Sequence, residues 1–300
     1  MHAAPTWLLF VLATLIWGTT WHAIIYQIAL LPPEIGVALR FSLAALCVLG
    51  WCLWRGERLA LGARTQAWLA LQGVTMFGLS YIAVYHAERH VPSGLVAVGY
   101  SASPLINGVA AALLWGSALT RRFLAGGVLG VIGVALIFWP ELAGMGGAAA
   151  ALGAALTVAA VLLSSVGNLV AIHNHRRSVP FWPAFGCSLA WGAVCSFLFA
   201  LALGQRIELP AVASWWLSLG YLALIGTVFA FACFLTLQQR LGAGPASTVG
   251  VMTPLIALAV SAAFEGWRPG ALALAGIALA IAGNAAMLIR KPSAVSRAAG

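Results

Sequence analysis

Apolar residues run along this chain in long blocks separated by short clusters of charge, proline and glycine. A helix crossing a bilayer core needs about 20 predominantly apolar residues. Breaking the chain at its punctuation predicts ten such helices, at roughly 7–28, 35–54, 66–87, 93–115, 121–138, 148–172, 181–203, 212–237, 243–264 and 270–289. The blocks are too long, and alternate too little, for the strands of a membrane β-barrel.

The charges between the blocks test that count. Alternate connections hold Arg55, Arg58, Arg64, Arg121, Arg122, Arg176, Arg177, Arg240 and the tail residues Arg290, Lys291 and Arg297. The opposite set holds only Arg89, Arg206 and Arg268, and Arg40 falls inside a block. Basic loops stay on the cytoplasmic side, so the asymmetry predicts ten spans with both termini cytoplasmic. A miscounted span would have destroyed the alternation.

Composition agrees. Of 300 residues, 63% are hydrophobic and 7% charged, with a mean hydropathy of +1.01. A soluble domain carries roughly a quarter charged residues, so lipid must be the main solvent and the bilayer the main partner. The net charge of +9 is topological, because no basic stripe with interleaved aromatics supports nucleic-acid binding. The five cysteines lie in apolar runs without CxxC spacing and read as small core residues. The N-terminal block lacks a basic leader and a clear cleavage site, and is expected to be a retained span.

A shift of 150 residues uncovers an internal copy. It lays Pro104, Leu105 and Ile106 over Pro254, Leu255 and Ile256, and Gly94, Gly116, Gly126 and Gly133 over Gly244, Gly266, Gly276 and Gly283. At a shift of 148, "WLAL" (68–71) meets "WLSL" (216–219), and Gly78 meets Gly226. The predicted repeats cover 1–142 and 143–300, five helices each. An odd number inserts the second copy upside down relative to the first, the inverted repeat of alternating-access carriers. The paired prolines then fall near the midplane, where a helix interior loses a hydrogen bond and freed backbone lines a cavity. Pro104 and Pro254 are the candidate hinges.

The chain resembles the EamA family of the drug/metabolite transporter superfamily, ten-helix exporters of amino acids, drugs and other metabolites. The resemblance rests on "LIWGTTWHAI" (15–24), "LPPEIGVALRF" (31–41), "AERHVPSGLVAV" (87–98) with its following "SPL", and "FEGWRPGALALAGIALAIAG" (264–283). It implies an all-α integral membrane protein of the bacterial inner membrane and places Arg40 near a cavity mouth. One departure is that Trp115-Gly116-Ser117 lacks the acidic residue present in the second half as Glu265.

Polar and aromatic residues inside spans are the candidate pathway. Trp17, Thr20 and Trp21 share a face of the first helix, and Tyr81 and Tyr85 share one of the third. Tyr100, Ser101 and Ser103 precede the first proline; Ser164, Asn168 and Thr253 lie in the second half. These are the candidate substrate-binding residues, although Ser and Thr also glue helices or patch backbone. Trp7, Trp51, Trp54, Trp182 and Trp267 fit an interfacial belt. Arg40 is near enough to a helix end to snorkel outward. His22, Arg40, His86 and Glu265 are candidates for gating or coupling, with an interfacial ion pair to Arg268 as the plain alternative for Glu265. Small-residue patterns at Gly126/Gly130 and Gly276/Ala280 are expected to pack on each other or on a second subunit; both monomer and homodimer fit.

No HExxH, GxSxG or carboxylate pair supports an integral membrane enzyme, and no cofactor or metal is expected. With no acidic residue at mid-depth and only Arg40 among the basic residues near the cavity, the chamber suits a neutral or zwitterionic solute with apolar surface. Aromatic or bulky aliphatic amino acids follow from the resemblance, and facilitated export follows from the missing carboxylates. Cationic or amphipathic drugs held by aromatic rings, with or without proton coupling, are the rival cargo, and a structural subunit without transport is the rival from another class.

Overall fold

The computed structural model describes residues 4–116, 119–144, 147–241 and 248–288. Positions 243–247 and 289 of the predicted spans, Gly244, Ser117, and the tail with Arg290, Lys291 and Arg297 lie outside the described residues. Among the described residues the protein is all helical. Eight helices are long and apolar enough to cross a membrane, and two shorter apolar ones, Val249–Phe264 and Ala271–Met287, complete the set.

The helices are α1 (Thr6–Ile28), α2 (Pro33–Trp54), α3 (Ala63–Ala87), α4 (Ser93–Trp115), α5 (Arg121–Ala143), α6 (Gly147–Arg176), α7 (Phe181–Ala202), α8 (from Ala213 to Leu241), α9 (Thr248–Phe264) and α10 (Ala271–Leu288). Their ends follow local chemistry. Pro33 opens α2 with Glu34 in its first turn, where a fixed φ and a negative charge suit a helix N-terminus. The Thr120 hydroxyl caps α5 by accepting from the Phe123 N–H at 3.1 Å. Gly116 after α4 and Gly266 after α9 take left-handed φ values of +67° and +69°, which cost glycine nothing.

Two helices carry a feature that the hydrophobic pattern does not announce. α3 winds as a π-helix over Gly73–Leu79 and α8 over Tyr221–Phe229. The wider turn skips a hydrogen bond, and such turns recur at functional sites. In α8 the Thr227 hydroxyl fills part of the deficit by donating to the Leu222 carbonyl at 2.9 Å.

The two prolines are not alike. A 3₁₀ turn at Tyr100–Ala102 breaks α4, and Pro104 follows it near the start of the second half-helix, where its missing N–H matters little. Pro254 sits inside an unbroken α9. The break in α4 also divides burial: every residue of Ser93–Gly99 is buried and none of Ser103–Trp115 is.

α5 and α10 form a dry glycine seam. A Cβ on Gly126 would stand 2.6 Å from the Gly283 carbonyl oxygen, and one on Gly133 2.6 Å from that of Gly276. Backbones this close gain dispersion contacts that larger residues forbid. The small-residue pattern is thus used within the chain rather than on a second subunit. At the end of the bundle that carries Thr6, Arg240 donates to the Ala4 carbonyl at 2.7 Å and Arg176 lies over the Trp115 ring at 4.8 Å.

Candidate functional site

A line of aromatic rings crosses the bundle. Trp17 on α1 meets Phe231 on α8 at 5.2 Å between centroids, and Phe231 meets Phe185 on α7 at 4.9 Å. Phe185 reaches Phe77 in the π-helical turn of α3 at 5.9 Å, Phe77 reaches Phe41 on α2 at 5.4 Å, and Phe41 reaches Tyr81 at 4.8 Å. The rings meet tilted or edge on, the arrangement their quadrupoles favour. Trp17 is also held by its indole N–H, which donates to the Gly226 carbonyl at 3.1 Å. Beside this line Trp21 packs on Tyr100 at 5.3 Å, and the Tyr100 hydroxyl hydrogen-bonds the Ser80 hydroxyl at 2.9 Å. Trp17, Trp21, Tyr81 and Tyr100 are only half-buried, so each keeps an open face.

Arg40 corrects an expectation. It does not snorkel: its residue is 2% exposed, and its guanidinium lies 4.8 Å from the Tyr81 ring centroid and 5.2 Å from that of Phe41. Its Nη2 donates to the Thr227 hydroxyl in the π-helical turn of α8, at 3.4 Å. Nε and Nη1 have no aligned partner. The flanking rings hold the planar cation in place, and a path outward would have to pass between them.

The carboxylates keep to span ends but show a burial that the sequence does not announce. Three of the six acidic residues gather, largely buried, at the end of the bundle opposite Thr6, although each reads as a span-end residue in sequence. Glu34 is 2% exposed and accepts from His86 Nε2 and Gln205 Nε2, both at 2.8 Å. Glu265 lies 3.1 Å from His22 Nδ1, accepts the Ser93 N–H at 2.9 Å and takes the Ser93 hydroxyl as well. It is bonded to these groups rather than to Arg268. Glu88, the first residue beyond α3, is 8% exposed with neither carboxylate oxygen hydrogen-bonded. Burial pushes its carboxyl well above the ordinary carboxylate range; Glu265 adds to the push and Arg40 opposes it.

The remaining candidates divide. Ser101 and Pro254 line one small cleft with Asn284. Thr20 and Thr253 are buried and donate to the carbonyls of Trp17 and Val249, both at 2.8 Å, so their hydroxyls patch backbone. Tyr85 is fully buried against Gly36 and beside Arg40, away from any open face. The Ser103 hydroxyl is buried without a partner at the break in α4. Ser164 is buried and Asn168 half-buried on α6. Pro104 is exposed. Trp267 leaves the expected belt: it is 7% exposed, and its indole N–H donates to Glu141 at 3.2 Å.

Sequence reasoning missed Phe41, Phe77, Phe185, Phe231, Thr227, Glu34 and Glu88. A signal existed for Phe77, one turn before Tyr81 on the same face. For the two carboxylates the only signal was rarity.

Comparison with known proteins completes the picture. The model of the EamA-like transporter family matches this chain twice, over residues 5–139 and 148–289. The chain belongs to the EamA-like transporter family. This EamA-like transporter is 26% identical to protein PagO of Salmonella typhimurium, over 84% of its own length and 83% of the relative's. It is 25% identical to the inner membrane transporter YedA of Escherichia coli K12 (84% and 80% covered). It is also 25% identical to a probable amino-acid metabolite efflux pump of Salmonella typhimurium (91% of each chain). A crystal structure 21% identical in sequence shares the fold at a TM-score of 0.65, over 93% of this chain and 94% of that one. The protein is therefore a multi-pass inner-membrane transporter, not an enzyme.

Proposed function

We propose that this transporter exports small zwitterionic solutes, amino acids with aromatic or bulky apolar side chains, by alternating access. The observation that carries the reading is the set of half-buried rings, Trp17, Trp21, Tyr81 and Tyr100, beside the buried Arg40. Rings of this kind offer apolar contact to a side chain, and the guanidinium offers charge-assisted donors to a carboxylate. The likeness to a relative named as a probable amino-acid metabolite efflux pump points the same way.

Ten spans with both termini cytoplasmic, in inverted repeats over 1–142 and 143–300, form the frame of this reading. Three observations support the repeats. The π-helical turns begin at Gly73 and Tyr221, the 148-residue shift already seen between "WLAL" and "WLSL". Gly116 and Gly266 share one backbone conformation. Gly126 meets Gly283 while their counterparts Gly276 and Gly133 meet each other, the reciprocity of a two-fold axis. In this frame the Glu265 end is the outer one and is shut, while the loosely covered half of α4 marks the cytoplasmic end as the more open.

Beside facilitated export stands proton coupling through Glu88, a buried carboxylate just beyond α3 whose proton affinity is raised. Such coupling would also keep cationic drugs as a second cargo. Proteoliposomes loaded with labelled phenylalanine test both points. Efflux that phenylalanine and tryptophan compete for, and quaternary ammonium compounds do not, supports the amino-acid reading; the reverse pattern overturns it. Acceleration by an opposing pH gradient marks coupling, and indifference to it supports the facilitator.

A further inference from the structure

Arg40 and Glu88 lie in one buried neighbourhood: the Tyr85 ring, one turn before Glu88, packs on Gly36, one turn before Arg40, and neither residue is in a direct ion pair. Each feels the other's field, yet the ion pairs within 4.0 Å among the described residues are His22–Glu265 and His86–Glu34. Arg40 leaves Nε and Nη1 without aligned partners beside the buried Tyr85 hydroxyl, and Glu88 leaves both oxygens unpaired. Both residues are more than nine-tenths buried. Unpaired charged groups at such depth are costly, and each calls for a partner. The chemistry that would complete both at once is a small molecule carrying a carboxylate and an ammonium a few bonds apart.

We propose that Arg40 and Glu88 are the two poles of a zwitterion site, the guanidinium taking the substrate carboxylate and the Glu88 carboxylate taking the substrate ammonium. The proposal rests on the amino-acid reading and gives it a charge specificity. Thr227 orients one nitrogen of Arg40 from the π-helical turn, leaving the others for the ligand. Tyr81 covers one face of the guanidinium and is itself half-buried, so an apolar side chain bound there continues onto Tyr81 and Tyr100. Burial raises the proton affinity of Glu88, so ammonium and proton compete for one carboxylate.

Three probes of one shape separate the poles: phenylalanine, phenethylamine (no carboxylate) and 3-phenylpropionate (no ammonium). Binding is read as ligand-induced thermal protection of the purified full chain, and transport as phenylalanine counterflow in liposomes. Arg40→Gln is expected to weaken phenylalanine and 3-phenylpropionate by about 10- to 100-fold while sparing phenethylamine. Glu88→Gln is expected to weaken phenylalanine and phenethylamine similarly while sparing 3-phenylpropionate, and Arg40→Lys should restore part of the carboxylate binding. Variants that lose all three probes alike, or none, overturn the clamp. Wild type that moves phenylalanine with charge-blind variants overturns the clamp alone. Wild type that shows the charge-selective protection but moves no phenylalanine overturns the transport reading alone, and wild type protected by no probe overturns both.

Discussion

Glu265, just past the end of α9, accepts the backbone N–H of Ser93 in the first turn of α4 at 2.9 Å. The same carboxylate holds His22 of α1, and Ser261 Oγ accepts the Gly94 N–H at 2.8 Å. Three helices are thereby tied at one end of the bundle by groups that the proposed alternating access would have to part. Charge-assisted bonds of this kind contribute about 1.5–3 kcal/mol each. Replacing Glu265 with Ala should therefore shift the population towards opening at this end by about tenfold or more. Spin labels at the exposed positions Leu30 and Phe264 should report a longer distance in the variant; an unchanged distribution removes the latch role.

The glycine seam makes a sharper prediction about stability. A methyl group on Gly283 would stand 2.4 Å from the Gly126 carbonyl oxygen, and backbone has nowhere to retreat. Gly283→Val should cost about 1–3 kcal/mol or more, by overpacking. Gly50→Ala, where a Cβ meets nothing within 4 Å, should be neutral or stabilising by about 0.5–1 kcal/mol. Thermal unfolding in detergent, followed by size-exclusion profile, compares the two.

Pro104 and Pro254 should respond unequally to alanine. Pro254 interrupts hydrogen bonding inside a continuous helix, so Pro254→Ala straightens and stiffens α9 and should slow counterflow several-fold. Pro104 stands near a half-helix start beyond an existing 3₁₀ break. Its replacement should leave stability within about 1 kcal/mol and transport nearly unchanged. Equal slowing by both substitutions would restore the symmetric hinge.

Glu88 carries the pH dependence. Its carboxyl is raised well above the ordinary value of 4.5, so the folded chain holds this proton more tightly than the unfolded one. Its contribution to stability is complete below the unfolded value and is lost as pH rises through the folded value. Substrate ammonium should bind more tightly over the same interval as the carboxylate ionises. Wild type should lose thermal stability relative to Glu88→Gln as pH rises from acid to neutral, while the phenylalanine affinity of wild type rises. Parallel pH profiles for the two proteins would exclude Glu88 as the titrating group.

Tyr100→Phe removes the partner of the Ser80 hydroxyl but leaves the Ser80 bond to the Ala160 carbonyl, at 2.8 Å. The loss should be about 0.5–1.5 kcal/mol of stability. Trp21→Ala, which strips the ring from Tyr100, should instead weaken phenylalanine binding more than it lowers the melting temperature. Paired binding and melting measurements separate the two effects.

The sequence by itself determined that this chain lives in lipid and, to within a few residues, where most of its described helices begin and end; it also raised the internal repeat as an expectation. Those properties follow from blocks of apolar residues, loop charge and local caps, each read within a few neighbouring residues or by simple shifts of register. It also marked the first helix and the Tyr81 and Tyr100 faces as polar exceptions to a greasy pattern. Only the tertiary structure decided that Arg40 turns inward under Tyr81, that Glu34 and Glu88 are buried and Glu265 mostly so, and that the rings from α1, α2, α3, α7 and α8 join. A residue near a helix end has two environments open to it, water or a neighbouring helix, and hydropathy cannot distinguish them. The choice belongs to packing between elements far apart in the chain, such as Arg40 with Thr227 and Ser93 with Glu265.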